Sequence, residues 1–319
     1  MYYPYLRAKQ FELKALKDFF QECPDENRIV PILEPVNRTF TALLSAVNCF
    51  IDNRKHFALI MNPRLGDFEH STVPFSFPEE NPEQIASEYC LPAFLVENNA
   101  DEVIGRLDTI TTNNVMLVFP KGADTEKDNV KALVDNAKVT TVVCSFTQTS
   151  RRTKSYLLNL HKTIVTFEDN FNEQKRNADY LNMEDEHFSE TFRYYDDDSF
   201  QGFSDFTALP SSFSNEGMLP YALAIHLTYP LRNDQINIHH FVSDSNRDQS
   251  NIKGKFFEAA RKVVAFYNNG LYRTASVEEI IRRAGEDDGF PGLGYLKKLS
   301  VKNHLELIHH LLRQSHVAQ

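Results

Sequence analysis

The sequence predicts an α/β protein: a (β/α)8, TIM-barrel-like body carrying a C-terminal β-hairpin and a helical elaboration. Three observations lead there. Short apolar, β-branched runs alternate with amphipathic stretches at intervals of about 25 to 35 residues, which is the rhythm of parallel βαβ units. Each run is continuously apolar instead of alternating, as strands covered on both faces are. Eight such runs occur through residue 209, the number that closes a parallel sheet into a barrel.

The first run, residues 2–6, is followed by an amphipathic stretch over 9–23 with Phe11, Ala15, Leu16, Phe19 and Phe20 on one face. IVPILEPV (29–36) is the second run, and its helix carries Leu43, Leu44, Val47 and Phe50. FALIMNP (57–63) and CLPAFLVE (90–97) follow, the latter leading into a helix over 100–110. NVMLVFPK (114–121) precedes a helix over 126–137, and TTVVCSF (140–146) one over 149–160. TIVTFED (163–169) is the seventh run and GFSDFTAL (202–209) the eighth. Between them, residues 170–200 read as an irregular acidic loop elaborated over the barrel mouth. A second registration stays open, in which 221–230 is the eighth strand and 2–6 is none.

Beyond 209 the rhythm changes. YALAIHLTYP (221–230) and INIHHFVSD (236–244) flank the turn residues Arg232, Asn233 and Asp234, predicting an antiparallel hairpin. Helices are expected over 255–268, 277–284 and 301–315. The expected organisation is therefore a barrel over 1–210 and a hairpin with C-terminal helices over 211–319, packed on the same body.

Composition narrows the function. The chain has 319 residues, and 34 Lys+Arg against 44 Asp+Glu give a net charge of −10, which argues against coating nucleic acid by bulk charge. At 42% hydrophobic residues it is no disordered chain. Cys23, Cys49, Cys90 and Cys144 form no CxxC pair and read as reduced thiols. No apolar leader opens the sequence and no run approaches ~18 apolar residues, so a cytoplasmic protein without a membrane segment is expected.

A barrel of this type places functional side chains at the C-terminal ends of its strands. In strand order these are Arg7, Lys9 and Glu12; Glu34; Asn62 and Arg64; Glu97 and Asn98; Lys121; Ser145 and Thr147; Glu168 and Asp169; Ser204 and Asp205. Carboxylates on separate strands suit a hard divalent cation, so Glu34, Asp169 and Asp205 are candidate ligands of Mg²⁺ or Mn²⁺ and candidate acid–base groups. Arg7, Lys9, Arg64 and Lys121, with Glu12 and Asn62, are candidate substrate ligands, the cations suiting phosphate. The combination suggests metal-assisted hydrolysis of a phosphate-containing substrate, a nucleotide or a nucleic acid.

His226 joins the catalytic candidates because it sits in an apolar run opposite His239 and His240. Those two neighbours face opposite sides of their strand, so one of them can pair with it as a metal site or acid–base pair. The alternative is a hydrogen-bonded histidine that merely supports the sheet. His304, His309, His310 and His316 read as solvent-facing or interface residues. GFPGLG (289–294) lacks the preceding strand and the Lys-Ser/Thr of a phosphate loop, so it reads as a plain loop.

Residues 168–198 hold 11 Asp/Glu against 3 Lys/Arg, densest in YYDDD (194–198). Such a run is a solvated loop, a metal-binding lid or a surface for a basic partner. The Leu/Ile-rich C-terminal helices could equally pack on the barrel, dock a partner or pair with a second copy.

The opening pattern formed by Tyr3, Pro4, Leu6, Arg7, Lys9, Glu12, Ala15 and Leu16, with IVPILEP after it, resembles the start of the Beta protein superfamily of bacterial and phage proteins. SDFTAL, AIHLTY, HHFVSDSN and KFFEA resemble the branch with a YPYLRGKQFE-type N-terminus, so the likeness runs to about residue 260. It transfers no activity. It implies a nuclease-like protein encoded nearby as a partner, and a role in phage or plasmid conflict. The alternative function is accordingly a non-enzymatic interaction protein. Ala8 stands where that branch has Gly, so this position either does not need glycine's conformation or adopts it at some cost.

Overall fold

The computed structural model describes residues 1–71, 75, 86–214, 219–232, 235–286 and 289–317. Eight parallel strands form one sheet in chain order: β1 (Tyr5–Leu6), β2 (Ile32–Leu33), β3 (Phe57–Ile60), β4 (Cys90–Leu95), β5 (Val115–Phe119), β6 (Val139–Cys144), β7 (Thr163–Phe167) and β9 (Gly202–Ser204). The ends of the sheet meet. Tyr2 bridges Phe203 in parallel, Tyr3 N–H donates to the Phe203 carbonyl at 2.8 Å, and Tyr5 N–H donates to that of Asp205 at 2.8 Å. The fold is a (β/α)8, TIM-barrel-like one, and GFSDFTAL supplies its eighth strand. The registration with 221–230 as the eighth strand is overturned, since those residues lie in a separate antiparallel sheet.

Five α-helices follow strands β1, β2, β4, β5 and β6: α1 (Gln10–Glu22), α2 (Thr41–Asp52), α3 (Ala100–Thr109), α4 (Asp128–Asp135) and α5 (Arg151–Leu158). Alternation divides the strand residues. Tyr3, Tyr5, Ile32, Ala58, Ile60, Ala93, Leu95, Met116, Val118, Val143, Val165 and Phe167 form one buried cluster, the barrel interior. Phe94, Leu117, Phe119, Val142 and Ile164 join Val103, Leu107, Val130, Leu133 and Leu157 of the helices in another. Strands β1 and β2 are only two residues long because Pro4 and Pro31 have no N–H to donate. Their carbonyls still accept from Ile32 and Ala58, each at 2.8 Å.

Two compact units result, and no single cut near residue 210 separates them. One comprises Met1–Gln10, Cys23–Asp169 and Tyr194–Phe206; the other comprises Phe11–Glu22, Asn170–Arg193 and Thr207–Gln319. The stretch 170–200 is more ordered than an irregular loop. It contains β8 (Asp185–Ser189) and a short helix, α6 (Thr191–Tyr194). β8 completes a three-stranded antiparallel sheet, in the order β10-β11-β8, with β10 (Ala224–Pro230) and β11 (Ile236–Val242). The hairpin is as expected, while its turn residues Asn233 and Asp234 lie outside the described residues.

Helices α7 (Ile252–Tyr267), α8 (Ala275–Ala284) and α9 (Leu293–Val317) complete the second unit. Phe256, Ala260 and Val263 of α7 cluster with Leu223, Ile225 and Leu227. α9 starts eight residues before its expected start and absorbs the end of GFPGLG. A Cβ on Gly294 would sit 2.1 Å from the Phe11 ring, so glycine here lets α1 pack closely. The same two helices are tied by Lys297–Glu12 (3.2 Å), Lys298–Asp18 and Lys302–Glu22 (2.6 Å). No described helix is long and apolar enough to cross a membrane.

Ala8 adopts φ +49°, the left-handed region. Of the two alternatives, the structure shows the second: the methyl group is accommodated in this conformation at a cost of order 1 kcal/mol. Ala8→Gly is expected to stabilise the protein by about 0.5–1 kcal/mol in urea titrations. A loss of stability would show that the backbone here is not strained.

Candidate functional site

At the C-terminal ends of β1 and β2, alternation points Tyr5, Arg7, Ile32 and Glu34 inward together. Glu34, 1% exposed, accepts on Oε2 from the Tyr5 hydroxyl and from Arg7 Nη1, both at 2.8 Å. Its Oε1 accepts from Arg64 N–H at 3.3 Å. The Arg7 guanidinium lies 4.9 Å from the ring centroids of both Tyr5 and Phe206, so cation–π attraction holds its face while Glu34 holds its edge. Burial, then the adjacent Glu34 carboxylate, raises the Tyr5 phenol well above its ordinary pKa, so the hydroxyl stays a donor.

The loop carrying Arg64 is clipped to the one after Glu34. Asp67 N–H donates to the Val36 carbonyl at 3.0 Å, and Arg38 N–H donates to Asp67 Oδ2 at 2.8 Å. Gly66 makes this approach feasible: its φ is +61°, and a Cβ would lie 2.2 Å from the Val36 oxygen. At the end of β4, Glu97 meets two cations, Arg64 at 3.6 Å and Lys121 at 3.2 Å. The strand ends β1 to β5 thus carry Arg7–Glu34 and Arg64–Glu97–Lys121, with a cationic excess. The cations of the second set are 39% and 72% exposed.

Other candidates are placed elsewhere. Asp205 is buried, but it accepts from the Tyr2 hydroxyl at 2.6 Å. Tyr2 stacks on Phe203 and alternates with the interior-facing Tyr3 and Tyr5, so Asp205 points to the outer face of β9, away from Glu34. Asp169 is exposed after β7. Glu34, Asp169 and Asp205 therefore do not converge on one cation, and among the described residues no three His, Cys, Asp or Glu side chains form a metal-binding group. The donor set expected for Mg²⁺ or Mn²⁺ does not fit one ion.

Asn62 is spent on the fold: its side-chain amide exchanges two 2.8 Å hydrogen bonds with the backbone of Leu95. Glu12 belongs to the second unit and pairs there with Lys297. Lys9 is half-buried in the turn after β1. Cys90 and Cys144 are buried, which pushes their thiols up to about 12 and about 11, so neither is a thiolate. A cleft of about 680 Å³ opens instead at the N-terminal ends of β6 and β7, where Lys162 Nζ is consumed by the carbonyls of Asn136 and Val139.

The second unit contains the histidine pair. His226 and His240 face each other across β10 and β11, with Nδ1 to Nδ1 at 2.6 Å. His240 Nε2 lies 3.0 Å from Glu186 Oε1 on β8, and Glu186 Oε2 accepts from Asn172 at 3.1 Å. Phe171 and Tyr180 pack their rings against both imidazoles. Burial, then His240, lowers the His226 imidazolium to about 3, and burial lowers His240 despite Glu186. His239 faces the other side, against Phe241 and Phe266.

His304, expected to be a solvent-facing or interface residue, is instead fully buried within the chain, 3.0 Å from Thr228 Oγ1. His309 and His310 are half-buried against Phe19 and Tyr272, and the side chain of His316 lies outside the described residues. Sequence reading placed Glu97 at a strand end without its cationic partners, and missed the partners Tyr5 and Glu186. Two-residue alternation with Arg7 could have found Tyr5. Glu186 left no signal, because the acidic stretch concealed a strand.

No family model, curated protein or solved structure matches the chain.

Proposed function

We propose that the strand ends β1 to β5 bind a phosphate-containing compound of nucleotide size and hydrolyse it at a phosphoester bond. The observation that carries this reading is Glu97, which meets Arg64 and Lys121 from neighbouring strand ends. Two exposed cations sharing one carboxylate leave a net positive site, and a phosphate can take the carboxylate's place on both. Glu34, fixed by Tyr5 and Arg7, has lone pairs remaining on Oε1 and is the carboxylate suited to orient an attacking water. The Beta protein likeness and the nuclease-like partner rest on the quoted motifs alone.

Calorimetric titration with pyrophosphate and with ADP tests the reading. Each of Arg64→Ala and Lys121→Ala is expected to weaken binding about tenfold, one charge-assisted contact apiece. Absence of binding, or equal binding by the double variant, counts against it.

A further inference from the structure

We propose that Glu186, His240 and His226 form a proton wire whose outer end, Nε2 of His226, is an acid–base centre for a protic substrate, an alcohol, enol or water. The wire is independent of the phosphate reading. Its polarity follows from its contacts. An ionised Glu186 only accepts, so His240 carries its proton on Nε2. Neutral His240 then offers a lone pair on Nδ1, and the 2.6 Å contact requires His226 to donate its Nδ1–H. The Nε2 of His226 is left as a lone pair, on a half-buried ring that packs against Phe171 and Tyr180.

This arrangement evades the cost of charging a buried imidazole. When a substrate O–H bond breaks, Nε2–H forms on His226. The Nδ1–H of His226 passes to Nδ1 of His240, and the Nε2–H of His240 passes to Glu186. The electron pair stays on the substrate oxygen. Both rings end neutral with exchanged tautomers, and the negative charge has moved from Glu186 to the substrate. Phe171 and Tyr180 hold the rings in line, so they are positioning residues, as are His240 and Glu186. The titratable groups around the wire are Tyr180, Asp185 of β8 and, on the other face of β11, His239; Glu173 acts on Tyr180 and Glu184 on His239.

The test is ¹⁵N-histidine NMR of the full chain, with assignments from His226→Gln and His240→Gln. Near neutral pH, His226 is expected as the Nδ1–H tautomer and His240 as Nε2–H. On acidification both are expected to invert together at one shared midpoint, and Glu186→Gln should abolish the inversion. Diethyl pyrocarbonate should modify His226 at Nε2. Two Nε2–H tautomers, an imidazolium appearing before inversion, inversion persisting in Glu186→Gln, or an unmodified His226 would each overturn the proposal.

Discussion

Glu34→Ala is expected to lower the unfolding free energy by about 3–5 kcal/mol, the range for removing one partner of a buried ion pair. Three donors lose their acceptor at once: the Tyr5 hydroxyl, Arg7 Nη1 and Arg64 N–H. The Arg7 side chain is only 14% exposed, so water replaces the carboxylate poorly. Glu34→Gln keeps an acceptor for Tyr5 and loses only the charge, so a smaller loss of about 1.5–3 kcal/mol is expected. Replacing both Arg7 and Glu34 by Met should cost less than Glu34→Ala alone, because no charge is left buried. With no Trp in the chain, urea titrations followed by circular dichroism are the natural readout. Equal stability of Glu34→Ala and wild type would mean that the pair is not buried as described.

Acidification from pH 6.5 towards 3 is expected to destabilise the fold, steeply, through its histidines. His226, His239 and His240 all have lowered folded-state pKa values, with burial as the first cause in each. The unfolded chain binds protons on these rings near 6.5, whereas the folded chain does not. The unfolded state therefore gains as pH falls, by up to about 1.4 kcal/mol per pH unit for each ring. For His226 the loss ends near pH 3, where the folded ring takes up the proton as well. His226→Gln should flatten the stability–pH profile in this window by one proton. An unchanged slope would place His226 in an environment as wet as the unfolded chain.

The barrel was legible because both of its requirements are written locally. Continuous apolar runs specify two-sided burial, and their spacing specifies crossovers. Arg7, Glu34, Arg64 and Lys121 were legible as strand-end residues for the same reason. Asp205 was not, although it also ends a strand, because its role depends on which face of β9 it takes, and a one-residue change of parity reverses that. Asn62 has the composition of a ligand, yet it completes the backbone hydrogen bonds of Leu95. His226 was visible as an anomaly in an apolar run, and the predicted hairpin set it opposite the His239–His240 pair, of which the structure chooses His240. Glu186, 40 residues back on a strand hidden in the acidic stretch, left no local pattern.

The sequence by itself determined the α/β class, the eight-strand count and the hairpin, all consequences of local periodicity. Tertiary structure alone decided which polar groups meet. It paired Glu34 with Tyr5 and Arg7, turned Asp205 outward to Tyr2, and drew β8 out of an acidic stretch to set Glu186 beside His240. Hydrogen bonds and ion pairs act over about 3 Å between residues distant in the chain, so their partners are set by register and facing, which exist only once the strands are assembled.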